Sequence, residues 1–442
     1  MPLWNLMILT PENVRNSVKP AIMKEEDNKG VTAILSNGIR HSLFFRGGTM
    51  RALIYLIILV SFLDTFVQLP IIGPYAKSLG AGSLGIGLTI GMYSLSNMAG
   101  NVFAGHWIDR FGAKVVLVTG MVITAAVLLL YLTVHTPEQL IAVRFVHGLT
   151  GGLLTPCAFT IAASRASMNR QGRAMALSGA SVGMAAIIGP AMGGIFKAKW
   201  GVDSVFIVTS ILLALFSLVA WAALPRQPKR DSSRSRERLT WSEAIPEWTR
   251  LLRNPYAVTA YTGAFALLFA MGVLTFALPL KTDELLMPAQ TAGMLLSTFG
   301  LIAILVFVLP SNRMFDRLPP FRLLLIGLAI VMVSLLGLSS LTNLSALYVV
   351  MGIYGIGYAL IFPSASALLV RHVPKEDRGK AFGLFYAFFS LGVVAGSSAV
   401  GALTSDPDTA LVIAAGGLVL LTLSLLLRNK RMASNVVKDS DA

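Results

Sequence analysis

The feature that most restricts the fold of this chain is a series of apolar runs, each about twenty residues long and almost free of charged side chains. A run of this length crosses a hydrocarbon core of roughly 30 Å as an α-helix. Lipid offers no water to the backbone, so each crossing segment must satisfy its own hydrogen bonds, as a helix does. We therefore predict an all-α membrane protein with twelve transmembrane helices. The predicted spans, numbered 1 to 12, are 51–72, 84–104, 114–134, 138–162, 173–196, 204–224, 255–278, 290–310, 321–341, 345–370, 381–403 and 409–427.

The charged residues indicate how the spans are oriented. Only 13% of the residues are charged, about half of the share that a soluble domain carries, which excludes a large water-soluble enzyme. Nearly all of the 36 Lys and Arg residues fall on the side of the membrane where the N-terminus lies. The exceptions are Lys77, Lys197, Lys199 and Lys281 on the opposite side and Arg144 inside span 4.

This asymmetry predicts a multi-pass protein of the cell membrane with both termini in the cytoplasm. The net charge of +15 is then an orientation signal and a contact with anionic lipid headgroups, not a nucleic-acid surface. The five histidines are scattered, and no cluster of His or carboxylate side chains lies at a membrane surface. We therefore predict no metal site, no cofactor and no enzymatic activity, and we expect a monomer.

The chain repeats itself at one constant displacement, which predicts two homologous six-helix halves. The matched landmarks are Asp109-Arg110 with Asp316-Arg317, Gly148 with Gly355, Pro156 with Pro363, Gly189 with Gly396 and Gly194 with Gly401. Parallel six-helix repeats are a transporter architecture, with the substrate held near the membrane midplane between the halves. The chain accordingly divides into 1–49 (a cytoplasmic tail, predicted to be disordered), 50–224 (first half), 225–254 (cytoplasmic linker), 255–427 (second half) and 428–442 (cytoplasmic tail). Within the linker, 239–253 has the pattern of an amphipathic surface helix.

Two ionisable side chains lie deep within the predicted spans, Asp64 in span 1 and Arg144 in span 4. Charges at such depth are costly and mark a function by default. At a rise of about 1.5 Å per residue, both lie about 10 Å below the outer surface. A carboxylate and a guanidinium at one depth can pair, and they can exchange partners when a proton arrives. We predict that they couple transport to protons; the alternative is a static ion pair that only fixes helix packing.

Other polar residues surround this pair. Gln68 lies one helical turn from Asp64, and His147 follows Arg144 on nearly the same helix face. Gln68, together with Asn97 and Asn101 of span 2, predicts a polar path, unless these side chains only form hydrogen bonds between helices.

The second half contains aromatic side chains where the first half contains charges. A cavity lined by such residues would suit a bulky apolar or amphipathic substrate, with cation–π contacts if the substrate is a cation. The alternative is that individual aromatics pack between helices or face lipid. The candidates for the cavity wall are Tyr261, Phe265, Tyr354, Tyr358, Phe385 and Tyr386.

The loop between spans 2 and 3 reads GHWIDRFGAK over 105–114, which resembles the signature loop of the major facilitator superfamily. The chain departs from that signature at Ala113, where a second basic residue is usual, and the corresponding loop of the second half has Asn312 and Pro319 at the glycine positions. The resemblance implies a conformational latch, in which Gly105 permits close helix approach and charge contacts break as the halves rock. The implied latch residues are Gly105, Asp109, Arg110, Gly112, Lys114, Asp316 and Arg317. The alternative is that the charges only set topology.

Three further stretches resemble the twelve-span drug/proton antiporter branch of this superfamily. They are DTFVQLPIIGP from Asp64, RFVHGLTGG from Arg144, and GPAMGG, which contains Gly189, Pro190, Gly193 and Gly194. The resemblance implies a proton-coupled efflux transporter that exports a lipophilic or amphipathic small molecule by alternating access. The alternatives are a narrow-specificity exporter of a metabolite such as a siderophore, sugar or nucleoside, a proton-coupled importer, and a non-transporting sensor on the same fold.

Overall fold

A computed structural model describes residues 47–164, 171–224, 249–309, 314–374 and 377–440 of the chain. Every secondary-structure element in these ranges is helical. Most of the predicted N-terminal tail and of the linker, including most of the predicted amphipathic helix 239–253, lies outside the described residues.

Eleven helices in the described ranges are long and apolar enough to cross a membrane. Span 2 is not among them because Asn97, Gly100 and Asn101 lower the hydropathy of its 29-residue helix. The helices that form spans 1 to 12 are Gly47–Val67 with Ile72–Ser78; Ser83–Phe111; Ala113–Leu130 with Tyr131–Thr133; Pro137–Gly151 with Leu154–Ser164; Gln171–Trp200; Val202–Ala223; Pro255–Glu284; Thr291–Val308; Pro320–Ser340; Leu344–His372; Arg378–Val394 with Ala395–Ala399 and Val400–Leu403; and Pro407–Ser440. The short helix Met314–Arg317 lies between spans 8 and 9.

The expectation of one continuous helix over 51–72 is wrong. The helix ends at Val67 and resumes at Ile72, because Pro70 has no amide hydrogen to donate to the preceding turn. The amides of Ile71 and Ile72 donate to the carbonyl of Gln68 at 3.1 and 3.0 Å. Asp64 therefore lies in the last turn of a helix, directly before a break.

Span 4 is interrupted in the same way, although one helix is predicted over 138–162. Its first helix ends at Gly151 and its second begins at Leu154, because Pro156 cannot donate to the carbonyl of Gly152. The break lies one turn beyond the histidine that follows Arg144 in the sequence.

The described helices of spans 1 to 6, here called the N-terminal bundle, contact those of spans 7 to 12, the C-terminal bundle, mainly through two pairs of helices: span 2 with span 11 and span 5 with span 8. The Ser398 hydroxyl donates to the carbonyl of Gly87 at 3.1 Å, and the Ser297 hydroxyl accepts from the amide of Ala191 at 2.9 Å. A Cβ built on Gly87 would lie only 2.2 Å from the carbonyl oxygen of Ser397, so the backbones themselves touch.

These contacts gather at one end of the molecule, the closed end, which comprises residues 83–91, 190–194, 290–297 and 397–401. At the other end, here called the open end, a Cβ built on Gly105, Gly179 or Gly383 has no neighbour within 4 Å among the described residues. Gly179 lies one turn from Gly183, whose Cβ would meet Ile304 of span 8 at 2.7 Å. The contacts between the bundles that the described residues show thus lie mainly toward the closed end.

Candidate functional site

The N-terminal bundle contains a fully buried Asp–His pair. Asp64, whose exposed fraction is 0%, places its Oδ2 atom 3.0 Å from Nε2 of His147. His147 is equally buried, and its Nδ1 lies 3.0 Å from the hydroxyl of Tyr131 at the end of span 3. Spans 1, 3 and 4 thus each contribute one side chain to a continuous hydrogen-bonded chain.

Arg144 reaches Asp64 through Gln68 and not directly. Its Nη1 donates to Oε1 of Gln68 at 2.8 Å, and Nε2 of Gln68 donates to Oδ1 of Asp64 at 3.2 Å and to the Asp64 carbonyl at 2.9 Å. The Arg144 Nε atom donates to the carbonyl of Thr89 at 3.0 Å. The expected direct contact between Asp64 and Arg144 is therefore wrong in this conformation, since His147 and Gln68 already occupy both carboxylate oxygens.

Tyr93 of span 2 closes the site on the remaining side. The Arg144 guanidinium lies over its ring, 4.6 Å from the centroid, and the ring of His147 meets it edge-on with centroids 5.1 Å apart. The Tyr93 hydroxyl is 2.8 Å from Oγ1 of Thr65. A Cβ on Gly148 would lie 2.3 Å from the Tyr93 carbonyl oxygen, so this glycine allows spans 2 and 4 to approach closely, as small residues do in membranes.

The arrangement satisfies a set of charges that would otherwise be very costly to bury. Asp64 and Arg144 carry opposite charges, and every described polar partner around them is itself buried or part of the backbone. Chemically, the site can hold a proton on Asp64 or on His147, because both atoms of the Nε2–Oδ2 contact are titratable. Tyr93 and Tyr131 are uncharged and lie on spans 2 and 3, so no charge or spacing signal in the sequence singled them out.

The predicted polar path is not continuous in the described residues. Nδ2 of Asn101 donates to Oδ1 of Asn97 at 3.0 Å, so the two asparagines pair along span 2. A Cβ on Gly152 would lie 2.5 Å from the Asn97 carbonyl oxygen, which places these asparagines against the break in span 4. Gln68 has Asp64 and Arg144 as its partners instead.

The residues of the implied latch lie apart from the Asp–His pair. Gly105 is exposed, and a Cβ built on it meets no described residue within 4 Å, so the close helix approach expected there stays a prediction. Gly112 has φ +83°, a left-handed conformation that suits glycine and lets the chain turn from span 2 into span 3. The Lys114 ammonium donates to the carbonyls of Trp221 and Leu224, the C-terminal end of span 6, where a cation is favoured.

Of the remaining latch residues, the structure describes the side chains of Arg110 and Arg317 only. The guanidinium carbon of Arg110 lies 5.1 Å from the centroid of the neighbouring Phe111 ring. Arg317 is exposed. The side chains of Asp109 and Asp316 lie outside the described part of the chain. A latch role for these residues stays a prediction.

The GPAMGG motif of span 5 has two packed faces. A Cβ on Gly193 would lie 2.0 Å from the carbonyl oxygen of Val67, and one on Gly189 would lie 2.6 Å from Cβ of Phe66. On the other face, a Cβ on Gly293 of span 8 would lie 2.2 Å from the carbonyl oxygen of Pro190, and one on Gly194 would lie 3.1 Å from Cα of Gln290. The motif therefore contacts the turn that carries Asp64 and also the C-terminal bundle at the closed end.

The aromatic cavity candidates divide into two groups. Tyr261, Tyr354 and Phe385 have exposed fractions of 0% and pack against Phe388, Phe299 and Phe362 respectively. In this conformation they contact side chains and not an open space. Phe265 and Tyr358 are half-buried, and Tyr386 is 52% exposed, so a place in the cavity wall stays a prediction for these three.

Lys281 of the C-terminal bundle is a buried cation, although the sequence predicts it at the membrane surface. The helix of span 7 continues to Glu284, which draws Lys281 into the protein with an exposed fraction of 2%. Its ammonium donates to Oδ1 of Asp408 at 2.5 Å and to the carbonyl of Ser339 at 3.0 Å. This residue ties spans 7, 9 and 12 together, and the hydropathy pattern alone could not distinguish it from an exposed loop lysine.

Comparisons with known proteins agree with this architecture. The chain is 26% identical over 340 residues to the multidrug resistance protein MdtG of Citrobacter koseri, covering 74% of this chain and 81% of that protein. It is 22% identical over 334 residues to an MFS-type transporter of Methanocaldococcus jannaschii, covering 76% and 86%. The solved structure of the nucleoside transporter NupG superposes with a TM-score of 0.73 at 16% identity, covering 86% of this chain and 99% of NupG.

The family assignment rests on nearly the whole described chain. The sequence model of the Major Facilitator Superfamily matches residues 54–280 and 260–441. These two matches contain all twelve spans apart from the first few residues of span 1, and proteins of this family are transporters and not enzymes. The chain therefore belongs to the major facilitator superfamily of membrane transporters.

Proposed function

We propose that this protein is a proton-coupled efflux transporter that exports a lipophilic or amphipathic small molecule from the cell in exchange for protons. The observation that carries the proposal is the complete burial of Asp64 between His147 and Gln68 inside the N-terminal bundle. A buried carboxylate is costly in a membrane, and such residues mark proton or ion pathways.

The coupling follows from the contacts of Asp64. A proton that binds the carboxylate removes the negative charge that the His147 and Gln68 donors stabilise, so their hydrogen bonds weaken. Asp64 lies one turn before the break in span 1, and the residues at that break pack on Gly189 and Gly193 of span 5. The opposite face of span 5 forms the closed end with span 8. A change in the protonation of Asp64 therefore biases the contact between the bundles, which is how one site can drive a two-state transition.

The predicted topology gives this transition a direction. With both termini in the cytoplasm, the closed end lies outside and the open end faces the cytoplasm. This conformation is then the one that captures a substrate from the inside, and the opposite conformation exposes Asp64 to protons from the outside. A contact that closes one end of the molecule while the other end opens is expected when two bundles rock against each other.

Two observations, independent of the Asp64 site, support the proposed substrate class. MdtG, which matches three quarters of this chain, is named a multidrug resistance protein. Phe265, Tyr358 and Tyr386 of the C-terminal bundle are not fully buried, and aromatic faces suit flat apolar rings and lipophilic cations. The likeness to NupG is one of fold, so it does not favour a nucleoside.

The test uses inverted membrane vesicles that contain the protein and maintain a pH gradient. Ethidium or tetraphenylphosphonium is added, and a pH-sensitive dye reports whether the gradient dissipates. We expect dissipation with the natural sequence and none with Asp64→Asn, because the amide preserves the shape of the side chain but cannot carry the proton. Asp203→Asn, the same substitution at the start of span 6, is the matched control and should behave as the natural sequence does.

Two results would overturn the proposal. Dissipation that persists in Asp64→Asn would show that another group carries the proton. No dissipation with any lipophilic cation, when the folded protein is present in the vesicles, would exclude this substrate class and favour a narrow-specificity metabolite exporter.

A further inference from the structure

His147 is the direct partner of Asp64, and both of its ring nitrogens are occupied. Nε2 lies 3.0 Å from Oδ2 of Asp64, and Nδ1 lies 3.0 Å from the Tyr131 hydroxyl. The exposed fractions of Asp64, His147 and Tyr131 are all 0%. The imidazole is thus held between a titratable carboxylate and a hydroxyl, with no solvent in contact.

The Tyr131 hydroxyl suits either charge state of this imidazole. When the ring is neutral and Nε2 carries the hydrogen toward Asp64, Nδ1 is an acceptor and the hydroxyl donates to it. When the ring is protonated, both nitrogens are donors and the hydroxyl accepts from Nδ1. A backbone carbonyl at this place would accept only, and a backbone amide would donate only. The hydroxyl therefore keeps both nitrogens bonded as a proton arrives or leaves.

The other ionisable groups around His147 in the described part of the chain are Arg144 and Tyr93. Arg144, on the same helix, is committed to Gln68, the Thr89 carbonyl and the Tyr93 ring. Tyr93 of span 2 meets the imidazole edge-on. With Asp64 ionised and His147 neutral, the charges of Asp64 and Arg144 balance, and one added proton makes the site positive whichever residue holds it.

We infer that the coupled proton is shared between Asp64 and His147, and that Tyr131 keeps the imidazole in place in both states. This inference rests on the proposed function. The step is a proton transfer alone: the Nε2–H bond breaks as the O–H bond on Oδ2 forms, and an imidazolium–carboxylate pair becomes a neutral imidazole and a carboxylic acid. His147 is in this sense a second proton acceptor of the site.

The first test compares ethidium binding to the purified protein across pH. In an antiporter the proton competes with the substrate, so the ethidium Kd rises as the site is protonated. We expect the midpoint of this rise to lie at lower pH in His147→Gln than in the natural sequence. The reason is that glutamine still donates to Asp64 but cannot take a proton, so one of two acceptors is lost. His135→Gln, an exposed histidine before span 4, is the control and should leave the midpoint unchanged.

The second test needs no substrate. Nitrogen-15 NMR of the histidines follows the imidazole of His147, identified by its absence in His147→Gln. We expect the imidazole signals of His147 to change when the site takes up a proton, and we expect the pH of this change to differ in Asp64→Asn and in Tyr131→Phe. The Tyr131→Phe variant keeps the imidazole, so it decides the question if His147→Gln does not fold.

The two proposals fail in different ways. A midpoint that is the same in His147→Gln and the natural sequence would overturn the inference, as would His147 signals that stay unchanged when the site takes up a proton. If at the same time Asp64→Asn abolishes exchange, the proposed function stands and His147 only positions Asp64. If Asp64→Asn retains exchange, the proposed function itself fails.

Discussion

At the scale of single residues, Gln68 links the two charges of the site. Its amide accepts from Arg144 with one atom and donates to Asp64 with the other, so neither charge faces an unpaired buried group. The break at Pro70 places Gln68 just beyond the helix that carries Asp64. The backbone carbonyl of Gln68 there accepts hydrogen bonds from the amides of Ile71 and Ile72. A local break in span 1 thus orients the side chain that connects spans 1 and 4.

We predict that Gln68→Leu lowers the free energy of unfolding by about 1–3 kcal/mol, because it leaves a buried guanidinium hydrogen and a carboxylate oxygen without partners. Thermal unfolding of the purified protein measures the loss. Thr342→Leu replaces an exposed polar side chain between spans 9 and 10, and surface changes of this kind stay within about 0.5 kcal/mol. Equal effects of the two variants would contradict the role of Gln68.

At the scale of helices, the start of span 12 shows a cap that depends on pH. Asp406 precedes the helix Pro407–Ser440, and its Oδ2 accepts from the amide of Thr409 at 2.6 Å. Hydrogen bonds from the Thr409 side chain and backbone lower the pKa of Asp406 from its ordinary value. The cap is therefore fully formed above the ordinary carboxylate pKa and is lost as the pH falls through the lowered value.

We predict that Asp406→Ala costs about 0.5–2 kcal/mol of stability at neutral pH, the usual contribution of a helix cap. Asp406→Asn should retain most of this stability, because asparagine caps as well as aspartate does, but should lose the dependence on acidic pH. Thermal unfolding at pH 7 and at acidic pH measures both effects. If Asp406→Asn and Asp406→Ala were equally destabilised at neutral pH, the capping explanation would be wrong.

Helix positions could be predicted from the sequence, and helix contacts could not. The lengths of the apolar runs locate the spans, because each run must match the thickness of a bilayer, although the hydropathy of span 2 is low. Hydropathy does not reveal the breaks at Pro70 and Pro156, which change hydrogen bonding and not polarity. Asp64 and Arg144 were found because buried charges are rare. The contact between Asp64 and His147 depends on how spans 1 and 4 are rotated about their axes, which no local pattern encodes.

At the scale of the whole molecule, the closed end is made by backbones in contact across four spans. Ser398 and Ser297 each bond to a backbone group of the opposite bundle, and the glycines beside them leave no room for a side chain. Such a contact has two states, packed or apart, because a packed backbone contact does not deform continuously. The sequence does not reveal which end is closed, because a transporter of this family must adopt both arrangements with the same residues.

We predict that Gly87→Ala separates the closed end, because its Cβ would lie 2.2 Å from the Ser397 carbonyl oxygen. Spin labels at Leu84 and Leu403, both exposed at this end, report the distance between spans 2 and 11 by electron paramagnetic resonance. The labels attach to introduced cysteines, since the native Cys157 is buried. We expect the population to shift toward longer distances in Gly87→Ala and to be unchanged in Gly105→Ala, where the added Cβ meets nothing. Unchanged distances in Gly87→Ala would contradict a tightly packed closed end.

The central claim is that binding of the exported substrate displaces a proton from the Asp64 site. It is tested most directly by adding ethidium to the purified protein in weakly buffered solution, at a pH where the site is protonated, and measuring the protons released. The account predicts release by the natural sequence and by Asp203→Asn, and none by Asp64→Asn that still binds ethidium. Equal proton release by Asp64→Asn and the natural sequence would contradict it.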